Sequence, residues 1–272
     1  MKKQLGVIAV AIAVGVIFGD TLVRAANATV LIVLPAAVSN TAGVLQDAAT
    51  GFQHGSLKAT GVGKSEAYFT PESQLNGREI ALSDIASISY YTKKSTDHVA
   101  SPGDWYINVY TKPYTGDISS ATWYGDRIGA EPYFARNLTE TVGGWNQWSS
   151  DEPVNQLRFF ESTSGYFGSY VDSDWATFLQ GSALSGHSYA TRKVHSFSVQ
   201  TASSWGIGFE GQIDGLRIEL TDGTVMKFNF EPFVVPSDKD GCKKDGWMSV
   251  LRPNGSPFSE QGDCVSYVSA GR

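Results

Sequence analysis

Short runs in which apolar and polar residues alternate constrain the fold of this chain more than any other feature of its sequence. The clearest case is near the C-terminal third, where residues 216–220 alternate, Asp222 and Gly223 follow, and residues 224–230 alternate again. An Asp-Gly pair between two alternating runs is among the strongest short-range signals of a β-hairpin. The pattern predicts two antiparallel strands that are closed at Asp222 and Gly223.

The rest of the chain repeats this pattern. Runs rich in Val, Ile, Thr, Tyr and Phe are separated by Gly, Asp, Asn and Ser, and they lie at residues 85–91, 105–110, 156–160 and 195–199. Residues 173–179 alone predict a short helix, with Asp172 or Ser173 as its cap. The 29 glycines and the 18% charged residues among 272 exclude a collagen, a coiled coil and a disordered chain. We expect an all-β protein, an antiparallel β-sandwich.

The first 28 residues have the three parts of a secretory signal peptide. Lys2 and Lys3 supply positive charge, residues 5–18 form an uncharged apolar run, and Ala26-Asn27-Ala28 matches a small-residue cleavage signal. The run is shorter than the roughly 20 apolar residues of a membrane helix, although residues 29–38 would prolong it if cleavage failed. We expect cleavage after Ala28 and a secreted product, extracellular or periplasmic, without a membrane anchor.

The two cysteines agree with an oxidising destination. Cys242 and Cys264 are the only pair, so we expect them to form a disulfide. A zinc site is the alternative, but it would need further ligands nearby. The amino-acid composition changes near Pro236, which marks the start of a disulfide-closed tail at residues 237–272. The predicted divisions are thus a signal peptide at 1–28, the sandwich domain at 29–236 and this tail.

Two segments resemble known families. Residues 208–218, GFEGQIDGLRI, resemble the F-x-G-x-I-D-x-L-R-I stretch near the end of concanavalin A-like and laminin-G-like jelly rolls. The tail around Cys242 and Cys264 is similar to the C-terminal signature of uncharacterised secreted bacterial proteins. The first resemblance implies a jelly roll with a tendency to bind carbohydrate, and the second implies secretion. Neither implies an activity, because a fold does not determine function.

Charge and motifs argue against several classes of partner. The formal net charge is −6, the wrong sign for binding nucleic acid or an anionic membrane surface. Residues 61–65, GVGKS, suggest a phosphate loop, but Lys58 stands where that motif needs its first glycine. The four histidines are dispersed, and neither a G-x-S-x-G nor an H-E-x-x-H motif is present.

Paired carboxylates would indicate a glycoside hydrolase, since many jelly rolls use two acids on one strand face. Glu210 and Asp214 have an even spacing, but Gly211 and Gly215 mark bends between and after them. Asp214 is therefore predicted to fix a turn by accepting backbone N–H groups. Hydrolysis is the less favoured interpretation, and no catalytic residue is assigned.

Aromatic residues supply the predicted binding site. Sugar rings stack on aromatic rings while Asn, Gln, Asp and Arg bond their hydroxyls, and such mixtures occur at residues 105–110, 123–127 and 145–148. At least half of the seven tryptophans are expected in the interior. Period two places Trp105 toward the core and leaves the opposite face of its strand exposed. The predicted ligand-binding residues are Tyr106, Asn108, Tyr110, Trp123, Tyr124, Asp126 and Arg127.

Calcium is the one cofactor that the sequence suggests. Asp238, Asp240 and Asp245 lie close together near Cys242, and calcium takes oxygen ligands from acidic loops. The segment lacks the glycine and glutamate positions of an EF-hand loop, so a solvated acidic turn is the favoured interpretation and no cofactor is assigned.

Two functions remain open. The first is a secreted, non-catalytic β-sandwich that binds extracellular glycan or another surface polymer. The second is a structural or adhesive subunit of an envelope layer, fibre or matrix. Strand-forming residues at 29–34 would favour the second if they extended beyond the domain, since a free apolar strand can complete the sheet of a neighbour.

Overall fold

A computed structural model of the chain describes residues 30–33, 37–45, 47–50, 52, 55–73, 75, 77–114, 127–161, 173–183, 186–228, 230, 236, 238–244, 246–250, 252 and 258–271. The predicted signal peptide, residues 1–28, lies outside these ranges.

Thirteen strands and two α-helices occur in the described residues. The strands are β1 Val30–Val33, β2 Ala37–Ser39, β3 Thr41–Leu45, β4 Gly55–Ala59, β5 Glu66–Phe69, β6 Ile85–Lys93, β7 Tyr106–Thr111, β8 Arg127–Ala130, β9 Trp145–Ser149, β10 Phe160–Glu161, β11 Val194–Gln200, β12 Gln212–Leu220 and β13 Val225–Phe228. The helices are α1 Trp175–Leu179 and α2 Gln261–Ser269.

The strands form two sheets. Sheet A has seven strands: β1, β13, β12, β4 and β3 follow in order, β6 also pairs with β12, and β9 pairs with β6. Sheet B has six strands in the order β10, β8, β7, β11, β5, β2. All neighbours are antiparallel except β1 and β13, which are parallel with Val30 opposite Val225. The expected antiparallel β-sandwich is confirmed, and the parallel β1 strand is an addition to it.

Aromatic side chains join the two sheets face to face. Phe69 of sheet B packs edge-on against Phe228 of sheet A at a centroid distance of 4.7 Å. Phe197 of sheet B contacts the same Phe228 ring at 5.6 Å. Trp105, Ile107 and Val109 are fully buried in this core, as their alternation predicted. The core therefore lies between the sheets, and sites for ligands are restricted to the outer faces, edges and ends.

The predicted hairpin is confirmed. Strands β12 and β13 are antiparallel, with Ile218 opposite Met226. Gly223 has a φ of +87°, a conformation that costs little only for glycine. The Asp222 carboxylate accepts the Thr224 N–H at 2.9 Å and fixes the turn.

The helices agree with the prediction only in part. The predicted short helix occurs at Trp175–Leu179, but its cap is Asp174, whose side chain accepts the Thr177 N–H at 2.8 Å. Helix α2 was not expected, because its sequence contains Gly, Ser and Val residues that favour helices weakly.

The disulfide is confirmed, since Cys242 and Cys264 are bonded. Both cysteines are buried in a small apolar cluster with Val250 and Phe258, separate from the core between the sheets. Arg252 lies over the Phe258 ring and pairs with Asp263 at 2.5 Å. Tertiary contacts of this kind stabilise a helix that its own sequence does not favour.

Candidate functional site

A cleft of about 620 Å³ lies at the end of the sandwich that contains the C-terminal end of β6. Its lining comes from four parts of the chain: Lys58 of β4, residues 93–96 with 101 and 103, Gly143, and residues 205 and 207–212. Ligand pockets commonly have volumes of roughly 300–1,000 Å³, and this cleft lies within that range. We take it as the candidate site.

The floor of the cleft is a row of side chains across three adjacent strands of sheet A. Gln212 of β12 is opposite Lys58 of β4 on one side and opposite Lys93 of β6 on the other. Directly opposite residues share a face of the sheet. Since Ile213 and Thr92, the next residues along two of these strands, are buried, the row lies on the outer face. The chain thereby presents a basic, an amide and a second basic side chain side by side.

The row continues to Trp145 of β9, which is opposite Lys93. Asp47 joins the two residues, because its carboxylate accepts Lys93 Nζ at 2.8 Å and Trp145 Nε1 at 3.2 Å. Burial by itself would raise the pKa of Asp47, but hydrogen bonds from Lys93 and Gln212 and the charge of Lys93 bring the pKa below its ordinary value. Asp47 is therefore held as a carboxylate beside the row.

Trp205 forms one wall of the cleft. Its ring lies so close to Gly103 that a Cβ atom at that position would be 2.8 Å from ring atom Cε3. The ring also contacts Phe209 edge-on at 5.4 Å and Tyr106 at 6.4 Å. Residue 103 must be glycine for Trp205 to lie where it does.

The Phe209 ring and the Gly211 carbonyl both connect the wall to the core. Gly211 O accepts the Trp105 Nε1–H at 2.8 Å and the Ala59 N–H at 3.0 Å. Ile207 projects at the mouth of the cleft with 78% of its surface exposed, opposite Val62 at 74%. These contacts combine a fixed aromatic wall with an exposed apolar rim.

Buried charged groups hold the loop that contributes Gly103 to the cleft and lies against Trp205. Lys94 Nζ donates to the carbonyls of Ser101 at 2.7 Å and Gly103 at 3.1 Å. Burial lowers the pKa of Lys94, and the nearby carboxylates of Asp104, Glu140 and Asp97 oppose that effect. Lys94 therefore stabilises the loop by bonding two of its carbonyl groups.

His98 lies behind the same loop. Its Nδ1 contacts Glu140, and its Nε2 is 3.4 Å from Asp104 Oδ2. Its backbone N–H donates to the other oxygen of Glu140 at 3.0 Å. Among the described residues, no group of three or more His, Cys, Asp or Glu side chains is arranged to hold a metal ion. We assign the His98 cluster to holding the loop.

The predicted binding strip on β7 is only partly accessible. Trp105, Ile107 and Val109 face the core as expected, but Asn108 is 2% exposed and Tyr110 is fully buried. Their expected exposure is wrong. Tyr106 is half-buried, and burial raises its pKa to about 12 although its hydrogen bond from Gln200 has the opposite effect.

Most of the strip is buried because side chains of the neighbouring strands pack over it. Tyr110 O–H donates to Gln200 Oε1 at 3.3 Å and accepts from Ser198 Oγ at 3.4 Å, and the Tyr68 ring contacts it at a tilt with a centroid distance of 5.7 Å. Gln200 also donates to the Tyr106 oxygen at 2.5 Å. These neighbours on β5 and β11 satisfy the polar atoms, so the second face is packed as well. Alternation identified the two faces of the strand but not the exposure of the polar one.

Arg127, at the start of β8, is opposite Tyr110, which places it beside the strip as predicted. Trp123, Tyr124 and Asp126 lie outside the described residues. Binding of a ligand by these residues stays a prediction.

Asp214 has the structural role that the sequence predicted. Its carboxylate accepts the N–H groups of Ala49 at 2.8 Å and Gly215 at 2.7 Å, beside a register shift in β12. Gly215 has a φ of +64° and lies against the Phe52 ring. Glu210 instead pairs with Lys58 at 2.7 Å on the exposed surface. The two acids have different partners and do not act as a pair.

The acidic segment near Cys242 forms turns. Asp238 accepts the Gly241 N–H at 2.9 Å, and Asp240 pairs with Lys243 at 2.7 Å, which lowers the pKa of Asp240. Asp245 lies outside the described residues. The described part of the segment has the contacts of a solvated acidic turn.

Lys58, Lys93, Gln212 and Trp205 were not among the predicted site residues. Strands β4, β12 and β6 bring the first three together from distant parts of the chain, which no local pattern shows. Trp145, at the end of the row, does belong to one of the clusters of aromatic and amide residues whose composition suits saccharides.

Among the described residues, no helix has the length and apolar character needed to span a bilayer. Comparisons with protein-family models, with curated proteins and with solved structures found no match for this chain. The chemistry of the cleft is therefore the basis on which a function is proposed.

Proposed function

We propose that the protein is a secreted, non-catalytic β-sandwich that binds extracellular glycan, and that the cleft at the end of the sandwich is its binding site. The observation that carries the proposal is the combination of an aromatic wall, Trp205 with Phe209, and a polar floor, Lys58, Gln212 and Lys93. Aromatic rings accept the C–H faces of sugars, and amide and ammonium groups bond their hydroxyls. The resemblance of residues 208–218 to concanavalin A-like jelly rolls supports the same class of ligand.

The proposed binding site is the cleft beside the β7 strip, not the strip itself. Trp205 contacts Tyr106, so the half-buried end of the strip adjoins the wall of the cleft. Tyr106 packs against Trp205, whereas Asn108 and Tyr110 are buried within sheet B. Secretion fits the geometry, because cleavage after Ala28 would leave β1, which begins at Val30, intact.

The alternative, a structural subunit, has less support. A donor strand for a neighbouring subunit must be unpaired in its own chain, whereas β1 pairs with β13 over Val30–Val33. The two edge strands of sheet B, β10 and β2, are only two and three residues long, and short edges discourage association between sheets. The glycan-binding proposal is therefore preferred.

Retention on a glycan array tests the proposal. We expect Trp205→Ala to weaken binding about tenfold, since loss of one stacking contact is worth about 1.4 kcal/mol. Tyr133→Ala is the matched control, because Tyr133 is 46% exposed and does not line the cleft. No retention on any glycan, or equal loss in both variants, would contradict the proposal, and self-association without glycan binding would favour the structural subunit.

A further inference from the structure

The cleft is lined by more lysines than carboxylates, whereas the protein as a whole is acidic. The chain carries 27 acidic and 21 basic residues, yet three lysines line the cleft. Among the described residues that line it, Glu210 is the single carboxylate. A concave site focuses the field of its own charges, so a lysine that is released from its carboxylate partner there attracts an anion in spite of the negative net charge.

Two of the lysines are placed at a fixed spacing. Lys58 and Lys93 stand on either side of Gln212 in one row across β4, β12 and β6. Neighbouring strands are about 4.8 Å apart, which puts the two lysine backbones roughly 10 Å from each other. A ligand with anionic groups at repeating intervals would meet both ammonium groups at once.

The partners of these lysines are in contact with solvent, and Glu210 is the more exposed of the two. Lys58 pairs with Glu210 at 2.7 Å, and their side chains are 35% and 64% exposed. Lys93 pairs with Asp47 at 2.8 Å, with side chains 26% and 31% exposed. Ion pairs with this much solvent contribute little stability, so an incoming carboxylate can replace Glu210 at small cost. Glu210 therefore competes with the anionic ligand for Lys58.

The aromatic wall favours an anion that is carried on a sugar ring over a bare anion. Trp205 and Phe209 lie beside the lysine row and offer apolar surface that a bare anion would not use. We propose that the cleft binds an anionic saccharide, with its rings on Trp205 and its carboxylate or sulfate groups on Lys58 and Lys93. This inference rests on the proposed function and specifies the class of glycan.

The test compares matched ligands by isothermal titration of the full chain: a uronate oligosaccharide, its neutral methyl ester, a sulfated and a neutral dextran oligosaccharide, and polyglutamate. We expect at least tenfold tighter binding of an anionic saccharide than of its neutral counterpart, and weaker binding as salt is raised. Whether the uronate or the sulfated ligand binds more tightly identifies the anionic group.

Substitutions test whether the lysine row accounts for the tighter binding of the anionic saccharide. Lys58→Gln and Lys93→Gln are each expected to weaken binding of the anionic saccharide five- to tenfold, and Glu210→Gln to tighten it severalfold. Lys112→Gln is the control, since Lys112 is similarly exposed and paired with Glu79 but does not line the cleft. Melting temperatures should stay unchanged in all four variants.

The outcomes separate the two proposals. Equal binding of the uronate and its methyl ester, or unchanged binding in the lysine variants, would overturn the anionic inference and leave glycan binding in place. Polyglutamate binding as tightly as the saccharide would also overturn it, because charge alone would then suffice. Failure of every saccharide to bind would overturn the proposed function itself.

Discussion

At the scale of single residues, burial of both faces of β7 changes what substitutions there should do. Trp105 is fully buried and donates its Nε1–H to Gly211 O, and Tyr110 is fully buried on the opposite face. An exposed Tyr110 would be dispensable for folding. The observed Tyr110 is part of a packed layer.

We therefore predict that Trp105→Ala and Tyr110→Ala each lower the free energy of unfolding by about 3–5 kcal/mol, as truncations of buried aromatic residues do. Tyr133→Ala, at an exposed position, should change it by less than about 0.5 kcal/mol. Urea denaturation of the three variants measures the difference. A Tyr110→Ala variant as stable as the wild type would mean that the layer over β7 is not packed.

Asp214 predicts a pH dependence with a definite sign. Burial raises its folded-state pKa to about 6, against an ordinary value of 3.8, although N–H groups from Ala49 and Gly215 act the other way. The folded protein thus holds this proton more tightly than the unfolded chain. The corresponding stability is present below pH 4 and is lost as the pH rises from about 4 to 6.

A difference of two pKa units corresponds to on the order of 3 kcal/mol. We expect the stability of the wild type relative to Asp214→Asn to fall by up to this amount between pH 4 and 7, measured by urea denaturation at each pH. Asp222→Asn is the control of opposite sign, because the Thr224 N–H and Arg78 lower the pKa of Asp222 to about 2. The contribution of Asp222 to the free energy of unfolding should be lost only as the pH falls below 4. A flat difference for Asp214→Asn would show that this carboxyl is not buried in solution.

At the scale of elements, the β12–β13 hairpin depends on one backbone conformation. Gly223 has a φ of +87°, and a Cβ atom there would have no neighbour within 4 Å. Any cost of a side chain must therefore come from the backbone. We predict that Gly223→Val lowers the free energy of unfolding by about 1–2 kcal/mol.

Gly223→Asn should cost less, because Asn tolerates the left-handed region better than other residues. Gly63→Ala, where the backbone needs no positive φ and the nearest atom to a Cβ is 3.6 Å away, should be close to neutral. Thermal unfolding of the three variants gives the comparison. Equal effects of Val and Asn at position 223 would point to a steric rather than a conformational cause.

At the scale of the whole molecule, the buried apolar residues of the described chain form two separate clusters. One lies between the sheets, and the other surrounds Cys242 and Cys264 and includes Phe258. A disulfide between residues 22 positions apart stabilises by about 3 kcal/mol in the chain-entropy model. The tail should therefore depend on the disulfide more than the sandwich does.

We predict that Cys242→Ser combined with Cys264→Ser increases amide hydrogen exchange across residues 238–271 and leaves exchange in β6, β7, β11 and β12 unchanged. The oxidised wild type is the reference. The separate clusters are the physical reason, since loss of the bond removes support from α2 and its neighbours alone. Faster exchange throughout both sheets would mean that the tail is integral to the sandwich.

Local patterns were sufficient for much of the fold. Alternation identified β6, β7, β11 and the β12–β13 hairpin, because a strand with one face in the core repeats every two residues. The cysteine pairing followed from there being only two cysteines. The role of Asp214 followed from its place between glycines, since short acidic side chains beside a bend bond to nearby N–H groups.

Long-range contacts settled the rest. The lysine row exists only because β4, β12 and β6 are neighbours, although Lys58, Lys93 and Gln212 are far apart along the chain. Trp205 forms a wall because the backbone of Gly103 lies beneath it, and Tyr110 is buried because β5 and β11 supply partners for its face. Periodicity reports which residues share a face, whereas exposure and juxtaposition depend on what packs against that face.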